Sequence, residues 1–183
     1  MASTSDTIEL SEDELREITG YAAECARRAL QVFEQEHPGD ARPREAIEAA
    51  EAFAGGGRRT AALRQCAWAA YKAAQEPGSP AATDAARAAS HAAGAAYLHP
   101  KASPHQIKHI LGAAAHAARA EELAAEENTR TAARTLTWAS GHAPPAVSHV
   151  LARMPAPPAG GGRVGELIRE LDAALRPTPQ TAP

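Results

Sequence analysis

Alanine is the feature that most limits what this chain can become. Of 183 residues 48 are alanine, whereas Val, Ile, Leu and Phe together supply 24, about 13%. Alanine is the strongest helix former because it loses no side-chain rotamer entropy in a helix. The β-branched and aromatic residues that furnish sheet faces are too scarce to build one, aromatics being 4%. So thin a supply of large apolar side chains would leave a highly charged chain disordered. Here the net charge is only −3, so self-repulsion does not expand the chain. The expectation is an all-α protein whose helices pack closely, with short side chains between them.

The length suits one domain. Two cysteines, Cys25 and Cys66, sit in helical patterns beside alanines and read as inert thiols rather than a disulfide framework. The N-terminal stretch is acidic, with neither a basic start nor an apolar run of the kind export signals carry. The longest uncharged run, 88–100, is interrupted by His91 and His99 and is too short to span a bilayer. Acidic residues (22) outnumber Lys and Arg (19), and no run is basic. A cytoplasmic protein that meets neither membrane nor nucleic acid is expected.

Start and stop signals divide the chain into about seven helices. Residues 1–9 read as a frayed tail, 10–176 as one helical domain and 177–183 as a disordered tail. Ser11 and Glu14 form a capping box, opening a helix with Leu15, Ile18, Ala22, Cys25, Ala29 and Phe33 on one stripe. That helix must stop by His37, before Pro38-Gly39. Further helices are expected over 43–54, 60–75 (carrying Leu63, Trp68 and Tyr71), 80–98 and 103–126, with weaker ones over 129–139 and 144–153. A last amphipathic helix carries Val164, Leu167, Ile168, Leu171 and Leu175 after a Pro/Gly linker. Ala-Gly-Gly-Gly-Arg occurs twice, at 54–58 and 159–163. It reads either as an anion cradle or as a glycine stop followed by a helix start, and it lacks the Lys-Ser/Thr of a nucleotide-binding loop.

Eight histidines are many for this length, and four lie between His91 and His109. In one helix His105, His109 and His116 would fall near one line, with Gly112 among them. His105 to His116 spans about 16 Å, so the three cannot share one metal. His105 and His109 have the i, i+4 spacing of co-ligands but lack the Glu of a zincin motif, and no metal or cofactor is assigned. The short 99–102 corner makes the flanking helices a central antiparallel hairpin, with His91 level with Gly112 and Tyr97 level with His105. A groove there would gather His91, Tyr97, His105, Lys108 and His109 as acids and bases titrating near neutrality. The bland alternative is that these imidazoles are packing residues bonded to neighbouring carbonyls.

A second polar cluster runs from His37 to Arg44. Asp40 can cap the next helix, and Arg42 or Arg44 can pair with Asp40 or Glu48. Read functionally, Asp40, Arg42 and Arg44, with His116, would bind an anionic group. There is no Gly-x-Ser-x-Gly elbow, Cys-x-x-Cys or dinucleotide fingerprint, and whether the chain is an enzyme stays open.

The segments HPGDARPREAIEAAEAFAGGGRRTAALRQCAWAA, HAAGAAYLHPKASPHQIKHILGAAAHAA and GGGRVGELIRELDAAL resemble the Imm-5-like immunity protein family, which has many actinobacterial members. The resemblance implies a small all-helical protein that neutralises a toxin domain by binding it, and it transfers no catalytic residues. Two readings therefore stand. One is an interaction module for a toxin-like protein partner, with a homodimer as a further possible assembly. The other is a small-molecule binder or enzyme working by acid–base chemistry on an anionic metabolite between helices.

Overall fold

Capping chemistry starts the helices close to where the sequence places it. The computed structural model describes residues 6–177. These form α1 (Glu12–Glu36), α2 (Arg42–Ala54), α3 (Ala61–Gln75), α4 (Pro80–Ala95), α5 (Ile107–Ala124), α6 (Thr129–His142), α7 (Pro145–Ala152) and α8 (Gly162–Leu175), one on each stretch expected to be helical. The Glu14 N–H donates to Ser11 Oγ (3.1 Å) and the Ser11 N–H to Glu14 Oε2 (2.9 Å), so the capping box is complete. Thr60 and Ser79 accept from the backbone of α3 and α4 in the same way. The expected α1 stripe is buried in full, together with Tyr21 and Leu30.

Helix α6 runs on to His142, past the expected 139, and the two boundaries at the corner of the hairpin also differ from expectation. The helix expected to reach residue 98 ends at Ala95, and the Tyr97 and Leu98 N–H groups donate three residues back instead of four. Beyond the corner, Ser103 opens a 3-10 turn over Pro104–Gln106 before α5 begins. A 3-10 turn advances 120° per residue rather than 100°, which rotates His105 away from the line of His109 and His116.

The frayed tail expected over 1–9 is paired in its second half. The Ile8 N–H donates to Pro100 O (3.1 Å) and the Ala102 N–H to Asp6 O (2.8 Å), an isolated antiparallel bridge across the corner. Residues 1–5 and 178–183, read as tails, lie outside the described residues. No strand occurs among the described residues.

Helix α4 is the axis of the molecule. It packs against α1, α2, α3 and α5, and nine of its alanines are buried over the arc that faces them. Thr83, Asp84, Arg87, Ser90, His91 and Gly94 share the other arc. On the packed side only a methyl-sized side chain lets the axes approach at the short end of the usual 8–10 Å range. Helix α5 is its antiparallel partner and also meets α1, α6 and α8. On its α8 side the Glu122 carboxylate, 1% exposed, is held by Arg163 (2.8 Å) and Arg119 (2.8 Å). Burial pushes that carboxyl up, but the two guanidiniums outweigh it and hold it below the ordinary range.

Candidate functional site

On α3, Arg64, Trp68 and Lys72 follow one another at i, i+4 steps, so they stand on one face of the helix. Trp68 is 58% exposed and Tyr71 37% exposed, and their rings stack at 5.2 Å. These are the exposed large hydrophobics among the described residues. The Lys72 ammonium lies 5.9 Å from the Trp68 ring centre. The sequence pattern runs Trp68 and Tyr71 along with Leu63, whereas the buried side of α3 is Leu63, Ala70, Ala73 and Ala74. The signal that separates the two sets is the pair of cations four residues either side of Trp68, which an inward-facing indole would not have.

Helix α3 is fixed to α4 by Ser90, whose hydroxyl donates to Ala67 O (2.8 Å). Between them and α5 lies an open cleft of about 750 Å³. Its floor is His91, whose imidazole fills the notch left by Gly112: a Cβ there would sit 2.8 Å from His91 Nδ1. The space that Gly112 leaves on α5 is therefore taken by His91, the residue expected level with it. Behind His91, His116 stacks on it at 5.0 Å and places Nδ1 2.6 Å from Asp84 Oδ1. One wall is Tyr97, whose hydroxyl donates to Thr60 O (2.6 Å) and whose ring faces the Arg64 guanidinium at 4.5 Å and that of Arg59 at 5.7 Å. Lys108, His109 and His99 border the other side.

Burial, followed by the nearby His116, His109, Lys108 and Arg87, pushes the His91 imidazolium down to about 3. His109 is also pushed down, first by burial and then by Lys108 and His99. Both rings are therefore neutral at neutral pH, and the positive charge of the cleft rests on Arg64 and Lys108.

Four of the five residues expected in the inter-helix groove, His91, Tyr97, Lys108 and His109, line this one cleft. His105 does not. From its 3-10 turn it borders a separate hollow of about 160 Å³ against the Pro157–Gly161 loop, so it and His109 are not placed as co-ligands. No three His, Cys, Asp or Glu residues among the described ones are grouped to hold a metal ion. His116 lies behind the floor, 8% exposed. Sequence reasoning did not include Arg64, Trp68, Tyr71 and Ser90, because α3 meets the hairpin only through tertiary packing.

The 37–44 turn is internally neutralised. The Arg42 N–H (3.1 Å) and Nε–H (2.8 Å) donate to Asp40 Oδ1, and its Nη1 donates to Glu76 (2.8 Å). Arg44 donates to Glu34 through two nitrogens, each at 2.7 Å. The Arg42 guanidinium holds the Asp40 carboxyl below its usual range. The arginine pair expected to grip an anion is already occupied, by Glu34 and Glu76 rather than by the Glu48 suggested by local spacing. The second glycine motif closes in the same way. Arg163 turns to Glu122, and Gly161 and Gly162 take φ of 77° and 58° to start α8.

Fold and cleft together define a small protein, all-helical over the described residues, with an open aromatic cleft bordered by cations and lined by no carboxylate. Residues 9–145 match the family described as "Imm-5 like putative immunity protein", and the chain belongs to that family. The match contains the whole cleft and α1 to α6; α8, with the segment GGGRVGELIRELDAAL, lies beyond it. No curated protein and no solved structure matches the chain. Membership points to an immunity-type role, and so to a protein partner. No helix among the described residues is long and apolar enough to cross a membrane.

Proposed function

We propose that this protein neutralises a toxin domain by binding it, and that the Trp68–Tyr71 face of α3 anchors the complex. The observation that supports this is a stacked, solvent-facing aromatic pair flanked by cations, inside the family-matched region of a chain that exposes no other large apolar side chain among the described residues. Exposed aromatics beside arginine are the composition of interface hot spots, where truncating one anchor costs about 2–4 kcal/mol. A rigid alanine-cored scaffold holds such a face without an ordering cost on binding.

The test is co-expression with each product encoded beside this gene that is toxic when expressed alone. The expected result is that the chain restores growth and that Trp68→Ala or Tyr71→Ala weakens the purified complex by at least about tenfold, roughly 1.4 kcal/mol. A neighbouring toxin that kills equally well with or without the chain would sink the proposal. So would a complex that both substitutions leave unchanged, since the anchoring face would then be elsewhere.

A further inference from the structure

Cations on the α1–α2 side of the molecule are matched by carboxylates of the chain itself. Arg27 pairs with Glu51, Arg44 with Glu34, and Arg42 with Asp40 and Glu76. Those groups need no outside counter-charge. The cleft between α3, α4 and α5 differs. Arg64 and Lys108 line it, no Asp or Glu does, and neither residue has a carboxylate partner among the described residues. Arg64 and Arg59 lie over the Tyr97 ring and Lys72 over the Trp68 ring, and Arg59 also donates to Ala96 O (3.1 Å). In a chain where acidic residues outnumber basic ones, this is a local excess of positive charge with no internal partner.

The shape narrows the occupant. A small-molecule pocket encloses most of its ligand, whereas here the principal aromatic, Trp68, is more than half exposed. Gly94 leaves open space on the cleft wall, nothing lying within 4 Å of where its Cβ would be. The cleft carries two cations, Arg64 from α3 and Lys108 from α5, and they form no track of the kind that follows a phosphate backbone. We infer that the cleft is the docking groove for an acidic segment of the partner protein, whose carboxylates meet Arg64 and Lys108 while an apolar or aromatic side chain seats against Trp68 and Tyr71. This rests on the immunity reading and adds the chemistry of the partner. Guanidinium–carboxylate pairing at the cleft mouth supplies orientation, and the aromatic floor supplies buried area.

The probe is a synthetic peptide of alternating Glu with a central Phe, compared with its Gln-for-Glu analogue. Binding is read by the fluorescence of Trp68 in a Trp138→Phe background, using the full chain. The acidic peptide is expected to give a saturable change that the Gln analogue lacks. Arg64→Glu or Lys108→Glu should weaken it at least about tenfold. Raising salt from about 0.05 M to about 0.5 M should weaken it similarly. Both substituted residues are exposed, and unchanged helical circular dichroism checks that the variants fold. No saturable change, equal binding of the Gln analogue, or indifference to both charge reversals overturns the inference. Growth rescue from the neighbouring toxin separates the two proposals. Rescue without peptide binding removes the acidic-segment inference alone, and peptide binding without rescue removes the immunity reading alone.

Discussion

At the scale of single residues, two glycines of the hairpin make opposite predictions. Gly112 is where the His91 imidazole enters α5, and a Cβ would meet Nδ1 at 2.8 Å and Cγ at 3.0 Å. His91 cannot swing clear, because His116 stacks on its other side. The overpacking cost of about 1–3 kcal/mol exceeds the roughly 1 kcal/mol of helix propensity that alanine restores. Gly112→Ala should therefore lower stability, by up to about 2 kcal/mol, in chemical denaturation. Gly94 lies within α4 with nothing near its Cβ position, and Gly94→Ala should raise stability by about 0.5–1 kcal/mol. The sequence shows both as glycines in helical runs. Only the neighbour across the hairpin tells them apart.

At the scale of elements, α8 is the instructive case. It lies outside the family-matched residues but is tied to the matched core by Arg163, which reaches back to the buried Glu122 of α5. Removing one partner of a buried ion pair leaves a carboxylate with reduced compensation, at about 3–5 kcal/mol for a fully buried pair. Arg119 remains on Glu122, so Arg163→Ala should cost less, about 2 kcal/mol, read from the denaturation midpoint. An unchanged midpoint would show that α8 docks through Leu167 and Leu171 alone. The helices themselves were legible from Ser11, Thr60, Ser79 and the prolines, because caps and breakers act within a few residues. The turn at 104–106 was not. Ser103-Pro104 announces a helix start but does not say whether its first turn is α or 3-10, and that choice moved His105 out of the cleft.

At the scale of the whole molecule, the neutral imidazoles give stability a pH dependence whose sign is fixed. An unfolded histidine titrates near 6.5, whereas His91 in the fold is held down to about 3. Between those values the unfolded chain binds a proton that the folded chain refuses, so stability is lost as the pH falls below about 6.5. His91 alone contributes a slope of up to about 1.4 kcal/mol per pH unit, and His109 adds in the same direction. Below about 4.5 the carboxylates held low by arginine, Glu122 and Asp40, add further loss as they protonate. Denaturation midpoints between pH 7 and pH 5 should fall for the native chain and fall less steeply for His91→Gln. Parallel profiles would show that His91 does not carry the effect.

What the sequence determined by itself was the scaffold: 48 alanines, clear caps and few large apolar side chains admit closely packed helices and little else. It also set the hairpin register well enough to place His91 opposite Gly112, because a short corner leaves two helices only one antiparallel alignment. Tertiary structure decided which polar groups were spent and which were free. Arg42 found Glu76 at the end of α3, Arg44 found Glu34 across the α1–α2 turn, and Arg64, with no carboxylate partner among the described residues, found the ring of Tyr97. Helix periodicity states which residues share a face, but the neighbour of that face comes from distant parts of the chain. The charge of the cleft is therefore a property of packing rather than of local spacing.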